Sequence, residues 1–589
     1  MSRVLIAAGA LLVLTGAVLV AFGPLESGPG DGCERPARLD SGVLPGRENV
    51  HSWPPAERFA RPVSDAKPVR TFATTGSRMS LATARARSSA ALLLSLAAGL
   101  AAAPPNAAAR GQQAQRAGDF VDSIGVNVHL GYTDTPYGRR GAIARKLEQL
   151  GVGHVRDGLS LGRPELYAAW RSLAKRGIKT QLIAGDPQHR WGTGPVEDQL
   201  GVVKQELLGA VSALEGPNEY DNQGDPNWPT VLRHYQRCLY DEVKADSALR
   251  RLPVVGPSFV HSDSRGRLGP MAGDLDYGNM HPYPGGRAPD LDEHMGSELR
   301  LARLVSGDEP LIASESGYNN ALRSSSTHRP VPEDVAATYM PRLYLDYFRR
   351  GIARTFAYEL VDERPDPAKR QIEASFGLLR SDLSEKPAFR ALEQLIALFE
   401  DPGPNFAPGR LDYAIRGEGD VRHLLLQKRD GSFYIALWRP VSVWDHDASS
   451  RREPGGRPVR LAFGSPVERL EIHRPDGARA ARGRRTRASS LELRASAEVT
   501  VVRVVPGEAG RARRRSLRRL TPYERRVVRK LQRLRKAKPL TRRLARRVNR
   551  LERRLHRRLK AIGRTARRRS WQRRHMRTRY LVLKSVLRA

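Results

Sequence analysis

The feature that most constrains the fold is a regular alternation of short apolar runs and amphipathic stretches between residues 120 and 400. Apolar runs of about five to eight residues are typical of buried strands in a parallel sheet, and the longer stretches between them have helical periodicity. The predicted strands are 123–130, 153–158, 179–185, 211–219, 252–258, 276–283, 310–317 and 353–361. The predicted helices are 141–150, 163–176, 195–208, 228–245, 291–306, 332–350 and 386–400, whereas 259–275 is rich in Gly and Ser and has little helical pattern.

Eight strands, most of them followed by a helix, predict a (β/α)8 barrel over residues 118–402. An open, doubly wound sheet is the alternative, and it usually has a Gly-rich phosphate-binding turn after its first strand. The first predicted strand is followed by GYTDTPYG, which is no such turn. The barrel is therefore favoured, and functional residues are expected at the carboxyl ends of its strands.

Two carboxylates are predicted at nearly opposite points of the barrel mouth. The fourth strand ends in GPNE, with Asn218 and Glu219, and the seventh ends in SESG, with Glu315. Both Glu side chains can therefore converge on one ligand. A pair of carboxylates that flanks a glycosidic bond is the minimal machinery for glycoside hydrolysis.

These motifs, together with HPY at the end of the sixth strand, resemble clan A of the glycoside hydrolases, which are retaining (β/α)8 enzymes; within the clan, families 39 and 5 are the most similar. The resemblance covers about residues 120–400 and includes KPAFRALEQL at 386–395. Two positions depart from the clan pattern: Tyr220 follows Asn-Glu where Pro is frequent, and Tyr358 is the nearest candidate where strand eight often has Trp.

The resemblance implies a role for each matching residue. Glu219 would be the general acid/base and Glu315 the nucleophile. The remaining matches would contact the sugar or the nucleophile: Asn218 at the 2-hydroxyl, His281 in the same subsite, Tyr283 as a donor to Glu315, and Arg156 as the cation that keeps Glu315 ionised. Arg156 has an alternative interpretation, in which it pairs with an aspartate and only stabilises the barrel.

Further candidates for substrate contacts are His129, Tyr318, Tyr358 and Trp191, all at strand ends or in the adjoining loops. His129 is alternatively a core histidine, and Trp191 alternatively covers the top of a helix. A metal-dependent barrel hydrolase would need His-x-His at strand one, where this chain has Asn-Val-His. Neither a metal nor a cofactor is expected, and Glu215 and Glu359 are interpreted as structural carboxylates.

Residues 404–506 have a different pattern, with short alternating runs such as SFYIALW and EVTVVRVVP joined by Gly, Pro and Asp turns. This pattern predicts a small antiparallel β-sandwich. Trp438 and Trp444 are candidate glycan contacts in this domain, although core packing is the better interpretation of Trp438.

The net charge of +38 is concentrated at the end of the chain. Residues 511–589 contain 34 Lys and Arg against two acidic residues, so that the rest of the chain has a net charge of only +6. In the tail, 507–589, apolar residues recur at three- and four-residue steps between Arg residues. A basic amphipathic helix of this kind suits an anionic cell-wall polymer or membrane surface, while nucleic acid is not expected as a partner. The alternative is a solvated tail without a partner.

Two apolar segments near the N-terminus predict export. Residues 4–25 are long enough to span a bilayer, and residues 79–109 have the basic, apolar and small-residue regions of a signal peptide. Residues 1–78 are then either a doubtful N-terminal extension, with Met79 as the true start, or part of a membrane hairpin; the first is favoured. The protein is therefore expected to be secreted or attached to the cell surface.

The sequence thus predicts an exported retaining glycoside hydrolase that acts on a carbohydrate. Two alternatives from other functional classes stay open. One is a surface protein that binds glycan without cleaving it. The other is a polyanion-binding protein that acts through its basic tail.

Overall fold

A computed structural model of the protein describes residues 111–326, 328–476 and 481–507. The apolar span at 4–25, the signal-like segment at 79–109 and the basic tail from residue 508 lie outside the described residues. Within the described ranges, no helix combines the length and the apolar character that crossing a bilayer requires.

The predicted (β/α)8 barrel is confirmed. Its eight strands, all paired in parallel, are β1 Ile124–Asn127, β2 His154–Gly158, β3 Lys179–Ile183, β4 Val211–Glu215, β5 Val254–Val255, β6 Gly278–Met280, β7 Leu311–Ser316 and β8 Arg354–Ala357. The strand order is β5-β4-β3-β2-β1-β8-β7-β6. A parallel bridge between Val255 and Tyr277 joins the two ends of this order, so that the sheet closes into a ring.

Eight helices alternate with these strands: α1 Arg140–Leu150, α2 Pro164–Lys175, α3 Val196–Val202, α4 Trp228–Ala245, α5 Ser264–Leu268, α6 Asp292–Ser306, α7 Glu333–Arg349 and α8 Pro387–Phe399. The helix predicted at 195–208 is shorter than expected, because a π-helical turn replaces its second half at Val203–Leu207. The interval with little helical pattern contains the five-residue α5 and a 3-10 turn at Ala272–Asp274. A helix or a short helical turn therefore follows each strand of the barrel.

The barrel interior has an apolar layer below a polar one. Ala213, Val255, Ile312 and Phe356 form the apolar layer. Gly125 leaves room for it, since a Cβ at this position would lie 2.4 Å from the Phe356 ring. The polar layer above it consists of Asn127, Arg156, Gln181, Glu215, Asn279 and Ser314, all buried. This layer supports the residues of the barrel mouth.

The antiparallel accessory domain is also confirmed. Its main strands are β9 Tyr413–Arg416, β10 Arg422–Gln427, β11 Phe433–Trp438, β12 Arg457–His473, β13 Gly483–Ala495 and β14 Thr500–Val505. The first part of β12 pairs with β9 and the last part pairs with β14, and a register shift lies between Ala462 and Val467. The long strand thereby folds the sheet over its own apolar core, in a sandwich-like arrangement.

Residues just before the barrel pair with strands that follow it. Gln112–Gln113 forms a separate two-stranded sheet with Arg410–Leu411, whereas Gln115–Arg116 joins the accessory sheet by pairing in parallel with the end of β10. The short helix Ala117–Asp122 then leads directly into the barrel. The accessory sheet therefore takes strands from both sides of the barrel sequence.

Strand β11 packs on both faces, which explains its unbroken run of buried residues. Phe433, Ile435 and Leu437 lie in the core of the accessory domain, whereas Tyr434 and Trp438 pack with the barrel core. Trp438 is fully buried, so it is not a glycan contact. Trp444 is only 7% exposed and packs in the same core.

Candidate active site

The site is built on Arg156 of β2, a guanidinium that is almost completely buried. Its Nε and Nη2 donate to the two oxygens of Glu215, at 2.8 and 2.7 Å. Glu215 also accepts hydrogen bonds from Gln181, Asn279 and Ser314. Burial favours a raised pKa for Glu215, but the Arg156 charge outweighs burial and lowers that pKa. Glu215 thus fixes the position of a permanent positive charge beneath the barrel mouth.

Glu315, near the end of β7, accepts a hydrogen bond from the remaining nitrogen of this guanidinium. Arg156 Nη1 donates to Glu315 Oε1 at 2.7 Å, and the hydroxyl of Tyr283 donates to Oε2 at 2.7 Å. Burial favours a raised pKa for Glu315, but the charges of His281 and Arg156 outweigh it, and the pKa is lowered. The arrangement holds an ionised carboxylate ready to act as a nucleophile or base.

Asn218 and Glu219 form a tight turn after β4. Glu219 adopts φ 48° and ψ 41°, a left-handed conformation that is uncommon for residues other than Gly. Its backbone N–H donates to Ser258 Oγ at 3.1 Å, and Ser258 donates to Asn218 Oδ1 at 3.0 Å. Arg156 Nη2 donates to the same Oδ1 at 2.6 Å. Because Oδ1 already accepts two hydrogen bonds, it is the Nδ2 amide of Asn218 that can donate to a ligand.

His281 lies between the two carboxylates. Its Nδ1 is 2.7 Å from Glu219 Oε1 and 3.6 Å from Glu315 Oε2. The ligand atoms of these three residues all lie within 4.8 Å of one another. Burial favours a lowered pKa for His281, but the charge of Glu315 and the hydrogen bond with Glu219 outweigh it, so the pKa is raised.

The other nitrogen of His281 identifies which tautomer is present. Nε2 lies 2.9 Å from Ser314 Oγ, and Ser314 donates its only hydroxyl proton to Glu215 Oε1 at 3.0 Å. The serine oxygen can therefore only accept, and Nε2 must carry a proton. Any exchange of a proton between His281 and Glu219 then takes place through Nδ1.

Two further predicted residues lie at the same mouth. The Tyr358 ring is 6.4 Å from the Tyr283 ring and 5.6 Å from the His129 ring, measured between centroids. Burial lowers the pKa of His129 to about 4, so this imidazole is neutral near pH 7. The structure therefore groups seven predicted residues around one cleft: Arg156, Asn218, Glu219, His281, Tyr283, Glu315 and Tyr358, with His129 at its edge.

The structure does not bring Tyr318 to the carboxylates. Its ring packs against Tyr339, its hydroxyl donates to the carbonyl of Arg287 at 2.8 Å, and the residue is 5% exposed. Trp191 is part of the short 3-10 turn Arg190–Gly192, and its side chain lies outside what the structure describes.

The sequence predicts structural roles for Glu215 and Glu359, and its pattern does not single out Glu363 or Glu373. Glu215 orients Arg156, as described above. The other three carboxyls lie near His129 and Tyr358. The available signal was the segment 359–373, which contains five acidic residues directly after the last barrel strand.

Among the described residues, three groups could geometrically hold a metal ion: Glu219–His281–Glu315, His129–Glu359–Glu363 and Asp445–His446–Asp447. In the first group, Arg156 already lies 2.7 Å from Glu315 and supplies the positive charge that a metal would bring. The third group is a run of neighbouring residues of which Asp447 is largely exposed. Neither of these two groups is interpreted as a metal centre.

Comparison with known proteins gives similarity in structure only. The barrel and accessory domain are similar to a family 39 glycoside hydrolase from the gut symbiont Bacteroides cellulosilyticus WH2, with 17% identity, a TM-score of 0.45, and coverage of 66% of this chain and 82% of that one. They are also similar to a family 39 enzyme from Xanthomonas axonopodis pv. citri, with 15% identity, a TM-score of 0.45, and coverage of 67% of this chain and 96% of that one. A family 39 β-xylosidase from Caulobacter crescentus has 14% identity and a TM-score of 0.45, with coverage of 68% of this chain and 98% of that one. No protein-family model matches the chain, and no curated protein matches its sequence.

The hydrogen bond from Tyr283 to Glu315 can be tested by Tyr283→Phe. Loss of one preorganised donor to a reacting carboxylate should lower kcat by about 10²-fold. The measurement is kcat on any substrate that the wild-type protein cleaves. Tyr318→Phe is the matched control, because its hydroxyl bonds a carbonyl away from the carboxylates. Equal activity of the two variants would contradict the assigned role of Tyr283.

Proposed function

We propose that the protein is a glycoside hydrolase that cleaves O-glycosidic bonds of an oligo- or polysaccharide with retention of anomeric configuration. The observation that carries the proposal is the placement of Glu219 and Glu315, whose ligand oxygens lie within 4.8 Å of each other at the mouth of one barrel. This distance joins one oxygen of each residue. Retaining enzymes have carboxyl groups about 5–5.5 Å apart and inverting enzymes need about 6.5–9.5 Å to admit a water, so the short contact favours retention.

In the first step, Glu315 attacks the anomeric carbon while Glu219 protonates the departing oxygen. Glu315 is suited to attack because Arg156 and Tyr283 hold both of its oxygens and its pKa is lowered. Glu219 can receive its proton through the 2.7 Å contact with His281 Nδ1. When the proton is on Glu219, His281 is neutral and keeps its proton on Nε2.

In the second step, a water hydrolyses the ester between the sugar and Glu315. Glu219, now ionised, removes a proton from this water, so that one residue acts first as acid and then as base. Asn218 contributes its free Nδ2 amide, which can donate to a sugar hydroxyl beside the reacting carbon. The described side chains supply every proton transfer of this cycle.

The direct test is the stereochemistry of the first product. Proton NMR of a fresh digest should show the anomer of the substrate, followed by mutarotation. A 2-deoxy-2-fluoro glycoside with a good leaving group should label Glu315, and mass spectrometry of peptides would locate the label. Appearance of the opposite anomer first would replace retention by inversion and would remove the nucleophile role of Glu315.

The effect of Arg156 on the nucleophile predicts the acid limb of the pH profile. Activity requires ionised Glu315 and falls as the pH drops through its pKa, which is lowered in the folded protein. Arg156→Met should move this limb of kcat/KM upward by about 1–3 pH units, because a neighbouring cation lowers a carboxylate pKa by that amount. Arg163→Met, at a partly exposed ion pair, should leave the limb in place.

Because Arg156→Met also leaves Glu215 without its partner, folding of the variant should be checked by circular dichroism. Arg156→Lys retains the charge but loses the paired hydrogen bonds to Glu215. It should show a smaller shift of the limb than Arg156→Met. An unmoved limb in both folded variants would contradict the role assigned to Arg156.

We further propose that the protein is exported and that its basic tail holds it at an anionic wall polymer or membrane surface. The support is the signal-like segment at 79–109 and the +32 charge of residues 511–589. Deletion of 511–589 should leave turnover of small substrates unchanged and should reduce retention on anionic particles at low salt. Loss of turnover on deletion would instead favour the view that the tail is the main functional element.

The alternative to a hydrolase is a protein that binds glycan without cleaving it. The site favours catalysis, because a simple binding protein has no need for two adjacent carboxylates with a buried cation beneath one of them. Binding of glycans by wild-type protein without release of any reducing end would favour the binding protein instead.

A further inference from the structure

A second set of carboxyls lines the cleft beside the proposed catalytic pair. We define the acidic wall as Glu359, Glu363 and Glu373, which all follow strand β8. The ligand atoms of Glu359, Glu363 and His129 lie within 4.8 Å of one another. The Tyr358 hydroxyl donates to Glu373 at 3.3 Å. Glu373 therefore lies beside Tyr358, the tyrosine already placed at the barrel mouth.

The acidic wall has little compensating positive charge. Among the described residues, its one ion pair with a Lys or Arg is between Glu363 and Arg364, at 3.3 Å, and the Arg364 side chain is 46% exposed. His129 adds no charge near pH 7, because burial lowers its pKa to about 4. Burial also raises the pKa of Glu373 to about 7 and that of Glu359 well above its ordinary value. These directions are those of buried carboxyls that lack a cation.

Two buried polar atoms in this region have no hydrogen-bond partner. They are Oε1 of Glu359 and Nε2 of His129, which lies 3.5 Å from the other oxygen of Glu359. Glu359 is completely buried, and only its Oε2 is satisfied, by the Tyr137 hydroxyl at 2.7 Å. Buried polar atoms in folded proteins usually have a hydrogen-bond partner, so a donor group, a water or an ion is expected beside Glu359 Oε1.

The acidic wall is close enough to the catalytic carboxylates to contact the same sugar. The Tyr358 ring packs beside the Tyr283 ring, and Tyr283 donates to Glu315. The charges of Glu315 and Glu219 contribute to the raised pKa of Glu373. His129, Tyr358, Glu363 and Glu373 are each partly exposed, so the acidic wall has an open side.

We propose that the acidic wall binds the ammonium group of an amino sugar, so that the substrate is a glycan of hexosamines with free amino groups; this rests on the proposed glycosidase function. An ammonium has three donors and can bond two carboxylates at the same time, and Glu363 and Glu373 are the partly exposed members of the acidic wall. A uronic acid would place a further carboxyl group against three others, and an N-acetylated sugar would offer a single amide N–H in place of the three donors of an ammonium.

Binding to the inactive Glu315→Gln variant would test the proposal. Chitosan oligosaccharides and their fully N-acetylated forms are a matched pair, because they share backbone, linkage and length. A second pair of galactosamine and N-acetylgalactosamine oligosaccharides covers the other common configuration. Calorimetry at pH 7 with a chelator present should show about 10- to 100-fold tighter binding of the free-amine form in at least one pair, the range expected for hydrogen bonds to a charged group.

Variants of the acidic wall would show whether this preference arises there. Glu363→Gln and Glu373→Gln should reduce the ratio of the two dissociation constants toward one. Glu148→Gln, at an exposed site on α1, is the charge-matched control and should leave the ratio unchanged. Two substitutions are used so that misfolding of one does not prevent the test.

Three outcomes would overturn the proposal: equal or weaker binding of the free-amine form in both pairs, a preference that the acidic-wall variants do not change, or binding that requires a divalent metal. The last outcome would show that His129, Glu359 and Glu363 hold a metal ion instead. Cleavage of neutral glycans by the wild-type protein without an amine preference would defeat this inference alone. Tight binding of amino sugars without cleavage would defeat the proposed hydrolase activity alone.

Discussion

Glu315→Gln should reduce kcat by about 10⁴- to 10⁶-fold, the scale found when the nucleophile of a covalent mechanism is removed. The substitution keeps the shape of the side chain and removes only its charge. Arg156 and Tyr283 would still surround the amide, so the fold should survive. Steady-state kinetics on the best available substrate would give the ratio. Glu148→Gln controls for the loss of a carboxylate elsewhere on the barrel.

Azide rescue separates the roles of the two carboxylates. In Glu315→Ala, azide occupies the place of the nucleophile and should give a glycosyl azide of inverted configuration. In Glu219→Ala, azide replaces the water of the second step and should give a glycosyl azide of retained configuration. The reverse pattern would exchange the two assignments, and rescue of neither variant by azide would argue against both.

Asp290→Asn should destabilise the protein by about 3–5 kcal/mol, because it leaves a buried cation without its partner. Arg342 and Asp290 are both fully buried, and two hydrogen bonds join them, at 2.5 and 3.1 Å. Trp438 of the accessory domain donates to the same carboxylate at 2.7 Å. The charge of Asp290 therefore helps to connect helix α7 of the barrel with strand β11.

The pair Asp334–Arg451 offers a matched control for this experiment. It also joins α7 to the accessory domain, at 2.6 Å, but both side chains are more than half exposed. Asp334→Asn should therefore cost less than about 1 kcal/mol. Denaturant titrations followed by Trp fluorescence would compare the two variants. Equal losses would show that the Asp290 network contributes no more than a surface ion pair.

Periodicity was sufficient to predict the barrel, because each of its strands is a short apolar run with a helix or turn on either side. All eight predicted strands overlap the observed ones. Details that depend on tertiary packing could not be predicted in the same way. The π-helical turn at Val203–Leu207 has no distinct sequence pattern, and the pairing of Gln115–Arg116 with the accessory sheet depends on residues far along the chain.

Some residues of the candidate site could be predicted from the sequence, and others could not. Residues at strand ends, such as Glu219 and Glu315, could be predicted because a parallel barrel brings those ends together. The role of Glu215 could not, since a carboxylate inside a strand shows its partner only when Arg156 and Glu215 are seen in contact. The acidic wall was missed for a related reason: its members follow β8 in a loop that has no periodicity.

The pairing of Gln115–Arg116 with the end of β10 has a consequence for biogenesis. The partner of this strand is synthesised about 300 residues later, so this pairing cannot form until β10 has left the ribosome; contacts this distant also slow folding. The strand Gln115–Arg116 therefore stays without its partner while the whole barrel is synthesised. A truncated chain that stops after the barrel would retain an unpaired strand edge and should tend to aggregate.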